Sequence, residues 1–488
     1  MIRFLFSFRA APLLSGAMAL TGCAFLPKGT PVAQKMPLPP MEKTLAAAGP
    51  VRPSPEWTRP LWWKDLHSSE LDRILDEALS GNPGLRAAAD RIRSSWAIAA
   101  HERGRLLPGL EGRPWLLNDT LGIWQIPGSS FFGPFGGRSF AFADYSPAFF
   151  TYHVDLWGED RARIRAAVGE ARAAMAEFAV AQLSLSTTIA RRYIELLSRV
   201  EEKEIVQKMV AQLREDLALA RSRHRKAGID TLLPVYSLEQ RLAAARQRER
   251  ILEREETVLR DEIATLAGKG PDWGRTIRIA PASFPRRFPL PSTVPLELLS
   301  RRPDVAVALW RVELAAQRVK VAKTAFYPNV NLVGFAGFQS LNMATVLLAP
   351  AQAFMYMVGP AITLPLFERG QLTARLVAEQ EEYNIAVERY NAAVLDAARS
   401  VADALAQWKE SVENLTTQDT ALSAAHRFTR LTDSRYQAGL VTRMDLIEAS
   451  LAAQEQELRL SSLTASHLES VVALHEVLGG GYQTQTTQ

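Results

Sequence analysis

The sequence predicts an α+β membrane protein with an internal duplication, in which a long α-helical coiled-coil barrel is combined with four strands per chain. Three observations support this fold class. The segment from Gln371 to Ala438 runs 68 residues without Gly or Pro, and its apolar residues repeat with a period of seven. Landmarks of the first half recur in the second half at offsets of 210 to 220 residues. Each half also contains one insert of alternating apolar residues, which is typical of membrane strands.

The N-terminus has the features of an export signal. Residues 1–22 contain two arginines followed by a short apolar run, which predicts a signal peptide. The run ends in Leu20-Thr21-Gly22-Cys23, and small residues before the only cysteine resemble the lipobox of bacterial lipoproteins. We therefore expect a lipid anchor at Cys23, with an ordinary signal peptide and a chance cysteine as the alternative. Ala24 is similar to the residue at this position in lipoproteins sent to the outer membrane, and the Pro-rich residues 23–60 predict an extended tether.

The helical segments of the two halves follow the same plan. In the first half, residues 61–107 predict helices, residues 108–155 a membrane hairpin, and residues 156–267 a pair of long helices. In the second half, residues 296–327, 328–366 and 367–478 repeat this order, with a linker at 268–295 and a polar tail at 479–488. The long pairs comprise Glu170–Ala227 with Val235–Ala267, and Gln371–Ala438 with Leu440–Leu478. Turns at Gly228 and Gly439 separate the members of each pair, so both turns are expected at the same end of the molecule.

The two inserts carry the alternation of membrane strands. Within each predicted strand, apolar residues recur at alternate positions, so their side chains would lie on one face. In the second insert these residues are Val330, Leu332, Gly334, Ala336 and Phe338, and then Tyr356, Val358, Ile362 and Leu364. In the first insert they are Phe140, Phe142, Phe150, Tyr152 and Val154. A membrane helix over Val346–Phe367 is the rival interpretation, because these 22 residues carry no charge, but Pro350, Pro360 and Pro365 would obstruct it. Two hairpins give four strands, which cannot close in lipid, whereas three copies give a closed barrel of about twelve strands.

Charge and motif content exclude several classes of function. Of the 57 basic residues two lie in the signal peptide, which leaves 55 against 52 acidic residues, and a net charge of +3 does not indicate nucleic-acid binding. The single cysteine allows no internal disulfide. The seven histidines show no metal-ligand spacing, and the sequence contains no phosphate-binding glycine loop and no nucleophile motif. We therefore expect neither an enzyme nor a protein that holds a metal or cofactor.

The combination of these features resembles one family. The lipobox, Trp62-Trp63, Arg301-Arg302-Pro303-Asp304 and Tyr436-Gln437-Ala438-Gly439, together with the duplicated plan, are similar to the TolC-like outer-membrane factors over residues 57–480. The lipoprotein branch that serves multidrug efflux pumps is particularly similar. The resemblance implies a homotrimeric channel in the outer-membrane lipid that extends into the periplasm and docks on a periplasmic adaptor protein and an inner-membrane efflux pump. Such a channel is a passive export duct for small molecules, and the pump selects the cargo.

The resemblance also implies where the duct closes. The periplasmic gate of the family corresponds here to Tyr436 before the turn and to Asp445 and Glu448 after it, which share a helix face because they lie three residues apart. In a trimer these acids would form a ring of six carboxylates that attracts cations. A solvated helix start, whose acids favour the helix dipole, is the alternative. The sequence departs from the family pattern at two positions. Pro234 is the first-half counterpart of Asp445, so the first half has no acid there. Val441 lies where some members carry an arginine, and Arg443 is the candidate to replace that arginine.

Two classes of function remain open at this point. The first is the passive export duct, in which the turns at Gly228 and Gly439 contact the adaptor, because paired helices end there and expose backbone groups. The second is a lipid-anchored periplasmic coiled-coil scaffold without a pore. The alternating strands favour the duct, since a scaffold has no use for hairpins at equivalent points of a duplication.

Overall fold

The helices and strands follow the duplicated order that the sequence predicts. A computed structural model of the chain describes residues 32–37, 39–41, 61–112, 122–125, 139–227, 231–279, 302–340, 348–365 and 367–482. In the first half, a 3₁₀ helix at Trp62–Leu66 precedes α1 (Ser69–Gly81), α2 (Pro83–Gly104), β1 (Gly109–Gly112), β2 (Gly122–Gln125), β3 (Ser139–His153), α3 (Glu159–Ala227) and α4 (Leu233–Leu266). A short α5 (Pro271–Gly274) is followed by α6 (Pro303–Thr324), β4 (Asn329–Ser340), a short α7 (Pro350–Ala353), β5 (Phe354–Thr363), α8 (Arg369–Gln437) and α9 (Arg443–Val477).

The helices α3 and α8 confirm the two predicted long helices, and each is 69 residues long. A helix of this length extends about 100 Å. The region Glu159–Arg225 of α3 has the length and composition of a membrane-crossing helix, with a mean hydropathy of 1.2 in its most apolar window. The same helix contributes Ile189, Tyr193 and Leu196 to a buried core, which explains its apolar character without a membrane.

The chain divides into two compact units. Unit 1 comprises residues 1–35, 92–173 and 308–389 and contains the strands, whereas unit 2 comprises residues 36–91, 174–307 and 390–488. The core of unit 2 is built around the Trp62-Trp63 pair, whose rings meet edge to face with centroids 5.9 Å apart. The two tryptophans pack with Leu71 and Ile74 of α1, with Ile263 of α4 and with Val472 of α9. The aromatic pair thus fixes the start of the first half within the core of unit 2.

The strands of both inserts form one antiparallel sheet in unit 1. The strand order is β1-β3-β4-β5, and β2 also pairs with β3. Between β4 and β5 the register sets Val330 opposite Ile362, Gly334 opposite Val358, and Ala336 opposite Tyr356. Residues directly opposite each other in an antiparallel pair share a face, so the two predicted apolar sets of the second insert occupy one face of the sheet. This part of the strand prediction is confirmed.

The first insert departs from the prediction in one way. Its outgoing strand is described as two short segments, β1 and β2, which both pair antiparallel with β3 and are separated by residues outside the described part of the chain. The pairing of β3 with β4 shifts by one residue between Tyr145 and Ala148, where Pro147 has no backbone N–H to donate to the neighbouring strand. A shift of one residue exchanges the faces of all the residues beyond it, so the uniform alternation predicted from Phe140 to Val154 is wrong.

The rival membrane helix over Val346–Phe367 is also wrong, because Phe354–Thr363 is strand β5. Strand β5 ends the sheet within this chain, and its apolar side chains are largely exposed. Tyr356 is 73% exposed, Val358 66% and Ile362 60%. Among the described residues, the sheet therefore presents an apolar surface and an unpaired strand edge, which a water-soluble sheet avoids.

The described part of the predicted tether has no regular secondary structure, but it is not free. Met36 N donates to Asn391 Oδ1 of α8 at 2.7 Å. The side chain of Met41 is 6% exposed and packs with Val305 of α6 and Val394 of α8. Met36 and Met41 thus attach the described part of the tether to the helical core of unit 2.

Candidate functional site

The candidate gate residues lie around the turn between α8 and α9 in unit 2. Helix α8 ends in a Schellman motif, in which Leu440 N donates to Arg435 O and Gly439 N donates to Tyr436 O, both at 2.9 Å. Gly439 has a φ of +72°, a left-handed conformation that glycine adopts without strain. A Cβ atom at Gly439 would meet no described atom within 4 Å, so the surface of the turn is open.

Thr442 and Asp445 cap the start of α9 reciprocally. Thr442 Oγ1 accepts a hydrogen bond from Asp445 N at 3.3 Å, and Asp445 Oδ2 accepts from Thr442 N at 2.7 Å. The Thr442 hydroxyl also donates to Asp445 Oδ2 at 2.7 Å. These hydrogen bonds lower the pKa of Asp445 below its ordinary value, and the Thr442 hydroxyl has a larger effect than the Thr442 backbone N–H. The carboxylate is therefore exposed and charged at neutral pH.

Arg443 connects three helices at this end of unit 2. It donates to Oδ1 of Asp216 on α3 from Nε at 3.0 Å and from Nη2 at 2.7 Å. The side chain of Asp216 is 1% exposed, and its Oδ2 has no hydrogen-bond partner among the described residues. The guanidinium carbon of Arg443 also lies 5.6 Å from the centroid of the Tyr436 ring, a cation–π contact. The buried carboxylate of Asp216 thus depends on Arg443 for charge compensation.

Glu448 belongs to a ladder of ion pairs between α4 and α9. Its Oε1 accepts from Arg241 Nη2 at 2.8 Å, and seven residues further along both helices Arg248 Nη1 donates to Glu455 Oε1 at 3.1 Å. Because both pairs advance by seven residues, α4 and α9 run parallel and in register here. The four side chains are partly exposed, so each pair contributes only about 0–1 kcal/mol. The ladder aligns the helices more than it stabilises them.

The structure brings Tyr436 and Arg443 into contact, whereas Asp445 and Glu448 have separate partners within the chain. The ring of six carboxylates is an arrangement between chains and stays a prediction. The sequence did not predict Asp216 as the partner of Arg443 or Arg241 as the partner of Glu448. The repeated spacing of Arg241, Arg248, Glu448 and Glu455 is a signal that could have revealed the ladder. Asp216 lies 227 residues from Arg443, and no sequence pattern marks it.

Two predicted positions lie outside the residues that the structure describes. They are Cys23, the candidate for lipid attachment, and Gly228, the first of the two turns. Their roles stay predictions. The second turn, at Gly439, has the exposed geometry described above.

Comparison with known proteins identifies the family. A family model described as "Outer membrane efflux protein" matches residues 74–268 and 294–480, which is most of both halves of the duplication. The chain belongs to the outer membrane efflux protein family. The predicted resemblance is thereby confirmed, and so are the location in the outer membrane and the function as an outer-membrane efflux channel.

Similarity to individual members of the outer membrane efflux protein family extends over nearly the whole chain. The chain is 27% identical over 483 residues to the multidrug resistance outer membrane protein MdtP of Escherichia coli O6:H1, with 96% of each chain covered. It is 29% identical over 370 residues to the fusaric acid resistance protein FusA of Burkholderia cepacia, covering 76% of this chain and 68% of FusA.

Two solved structures show the same fold. The outer membrane protein VceC of Vibrio cholerae matches with a TM-score of 0.75 and 26% identity, covering 88% of this chain and all of VceC (100%). The outer-membrane channel OprN matches with a TM-score of 0.79 and 25% identity, covering 94% of this chain and 98% of OprN. The predicted fold class, long helices combined with membrane strands, is confirmed by these similarities.

Proposed function

We propose that the protein is the outer-membrane duct of a tripartite efflux system, and that three copies form it. The observation that carries this proposal is the sheet of unit 1, which has open edges at β1 and β5 and a largely exposed apolar strand β5. Backbone N–H and C=O groups at an open edge cannot be satisfied in lipid, so the sheet of one chain must pair with that of another. Three chains with two hairpins each give a closed barrel of about twelve strands, which leaves room for a pore.

The relatives support small organic molecules as the cargo. MdtP is named for multidrug resistance and FusA for resistance to fusaric acid. A duct without its own energy source requires a pump in the inner membrane and an adaptor that bridges the periplasm.

Planar bilayer recording tests the duct against the scaffold. Detergent-extracted protein should insert and produce discrete conductance steps, because a closed barrel provides an aqueous path. A scaffold without a pore would leave the bilayer current at baseline at every protein concentration. As a matched control, protein that has been heated until the sheet unfolds should produce no steps.

We further propose that Tyr436, Arg443, Asp445 and Glu448 form the periplasmic gate. The supporting observations are the cation–π contact of Arg443 with Tyr436 and its ion pair with Asp216, which hold the end of α8 and the start of α9 against helix α3. Asp445 is exposed and charged, so three copies around an axis would place negative charge at the constriction. Opening then requires the helix ends to separate, and the Arg443 contacts oppose this movement.

We assign the adaptor contact to the turns at Gly228 and Gly439. The open surface at Gly439 supports this assignment, since a partner can approach the backbone there without a side chain in the way. Gly439→Trp should abolish export while the amount of membrane-inserted trimer stays unchanged. Normal export by this variant would place the contact elsewhere. Gly439→Asn is the control, because asparagine tolerates the left-handed φ of +72° and adds only a small side chain, and it should retain export.

A further inference from the structure

A histidine and two aspartates meet where strand β3 passes into helix α3. His153 is the last residue of β3, Asp155 lies in the connection, and Asp160 is the second residue of α3. One potential ligand atom from each side chain lies within 4.8 Å of the others. The three residues belong to unit 1 and lie far along the sequence from the gate residues. The three residues have no metal-ligand spacing in the sequence, because the connection between strand and helix brings them together.

The hydrogen bonds of His153 leave one ring nitrogen directed at Asp160. Nδ1 of His153 lies 3.0 Å from the amide oxygen Oδ1 of Asn331 on β4. An amide oxygen only accepts, so Nδ1 carries the proton and donates it to Asn331. In the neutral ring, Nε2 then holds a lone pair, and it faces Oδ2 of Asp160 at 3.6 Å.

Asp160 contributes a buried oxygen atom that accepts no hydrogen bond from the described residues. The residue is 1% exposed, and its Oδ2 makes no hydrogen bond to any described group. Its other oxygen, Oδ1, accepts from Arg105 Nε at 3.4 Å. Two lone pairs that face each other repel unless a positive group lies between them, and only the Asp160 side of this contact is closed to solvent, with side-chain exposures of 2% for Asp160 and 23% for His153. A proton on Nε2 would not satisfy both atoms, since 3.6 Å exceeds the length of an N–H···O hydrogen bond.

The spacing fits a metal ion better. Two ligand atoms bound to one tetrahedral ion at about 2.1 Å lie roughly 3.4 Å apart, close to the observed separation of Nε2 and Oδ2. Imidazole nitrogen and carboxylate oxygen are ligands that Zn²⁺ and related divalent transition metals accept. The remaining contacts orient the ligands. Asn331 orients His153. Asp155 caps the start of α3, since its Oδ1 accepts from Asp160 N and its Oδ2 from Arg161 N, both at 3.3 Å, and Oδ2 also accepts from Arg161 Nε at 2.9 Å.

We propose that His153, Asp155 and Asp160 bind one divalent transition-metal ion, such as Zn²⁺, and so fix the end of strand β3 to the start of helix α3. Arg105 and Arg161 already offset part of the carboxylate charge. The affinity should therefore be lower than that of closed zinc sites with thiolate ligands. The ion acts as a clamp between strand and helix, and it is separate from the cargo of the duct.

Zinc stoichiometry tests the proposal directly. Full-length protein in detergent, freed of its affinity tag and stripped with EDTA, is loaded with Zn²⁺, desalted and analysed by mass spectrometry for zinc per chain. The wild type should retain one Zn²⁺ per chain more than His153→Ala or Asp160→Asn. His426→Ala is the matched control, since His426 lies 3.5 Å from a single carboxylate, Glu457, and it should retain as much zinc as the wild type.

Thermal unfolding provides a second measurement. Zn²⁺ should raise the Tm of the wild type and of His426→Ala, because an ion that binds only the folded chain stabilises it, but not the Tm of Asp160→Asn. Asp160→Asn keeps the size of the side chain and an oxygen for Arg105, so it decides the question even where His153→Ala fails to fold. Equal zinc content in the wild type and Asp160→Asn would overturn the proposal, and so would a wild type that retains no zinc.

Discussion

His475 on α9 gives the protein a stability that depends on pH. The residue is 3% exposed, and its ring stacks on Trp62 of the unit 2 core with centroids 5.1 Å apart. Burial lowers the pKa of His475 from the ordinary 6.5 to about 3. In mildly acidic solution the imidazole is therefore neutral in the folded chain and largely protonated in the unfolded chain.

The effect on the free energy of unfolding has a definite sign and size. Because the folded pKa is depressed, this contribution to stability is complete above pH 6.5 and is lost as the pH falls from 6.5 towards 3. At pH 5 the loss is about 2 kcal/mol relative to pH 7.5, and below the folded pKa it approaches about 5 kcal/mol. The value at pH 5 depends mainly on the unfolded pKa, since the folded residue hardly binds a proton there. Burial lowers the pKa of His467 as well, which adds a loss of the same sign.

The substitution His475→Phe isolates this contribution. Phenylalanine keeps an aromatic ring against Trp62 and does not titrate. Urea unfolding in detergent at pH 7.5 and at pH 5 should show that the wild type loses about 2 kcal/mol more than the variant. His426→Phe is the control, because the His426 side chain is 44% exposed, and it should lose as much as the wild type. The same loss in the wild type and in His475→Phe would refute the argument that a buried neutral imidazole causes the acid sensitivity.

Three further predictions concern the gate and the anchor. Asp445→Asn combined with Glu448→Gln should reduce cation preference and block by multivalent cations in planar bilayers, and unchanged block would move the constriction elsewhere. Arg443→Ala leaves the buried carboxylate of Asp216 without its hydrogen-bond donors and should lower the urea-unfolding free energy by about 1–3 kcal/mol, while Arg443→Lys should lose less; an unaffected Arg443→Ala would contradict the ion pair. Labelled palmitate should enter the wild type and not Cys23→Ser, and label in the variant would exclude Cys23 as the site of attachment.

The sequence predicted the helices better than the contacts between them. The absence of Gly and Pro from Gln371 to Ala438 locates α8 within two residues, since nothing in the segment interrupts a helix. The alternation of apolar residues also predicted which residues of β4 and β5 share a face of the sheet. It failed in β3, because Pro147 disturbs the register, although this proline is visible in the sequence.

The candidate site was only partly predictable for a similar reason. Thr442 and Asp445 have the spacing of a capping box, so the hydrogen-bond partner of Asp445 was predictable from the sequence. The resemblance to the family indicated a gate role for Asp445 instead. The ion pair of Arg443 with Asp216 joins positions on different helices, and its existence depends on packing that a single sequence does not encode in any local pattern. The cluster of His153, Asp155 and Asp160 likewise arises from the path of the chain between strand and helix.

The number of chains in the membrane-inserted particle tests the trimeric duct most directly. Native mass measurement of detergent-extracted protein should give three chains, because the open edges at β1 and β5 must be paired between copies. A single chain that remains inserted and folded in the membrane would contradict the proposed barrel.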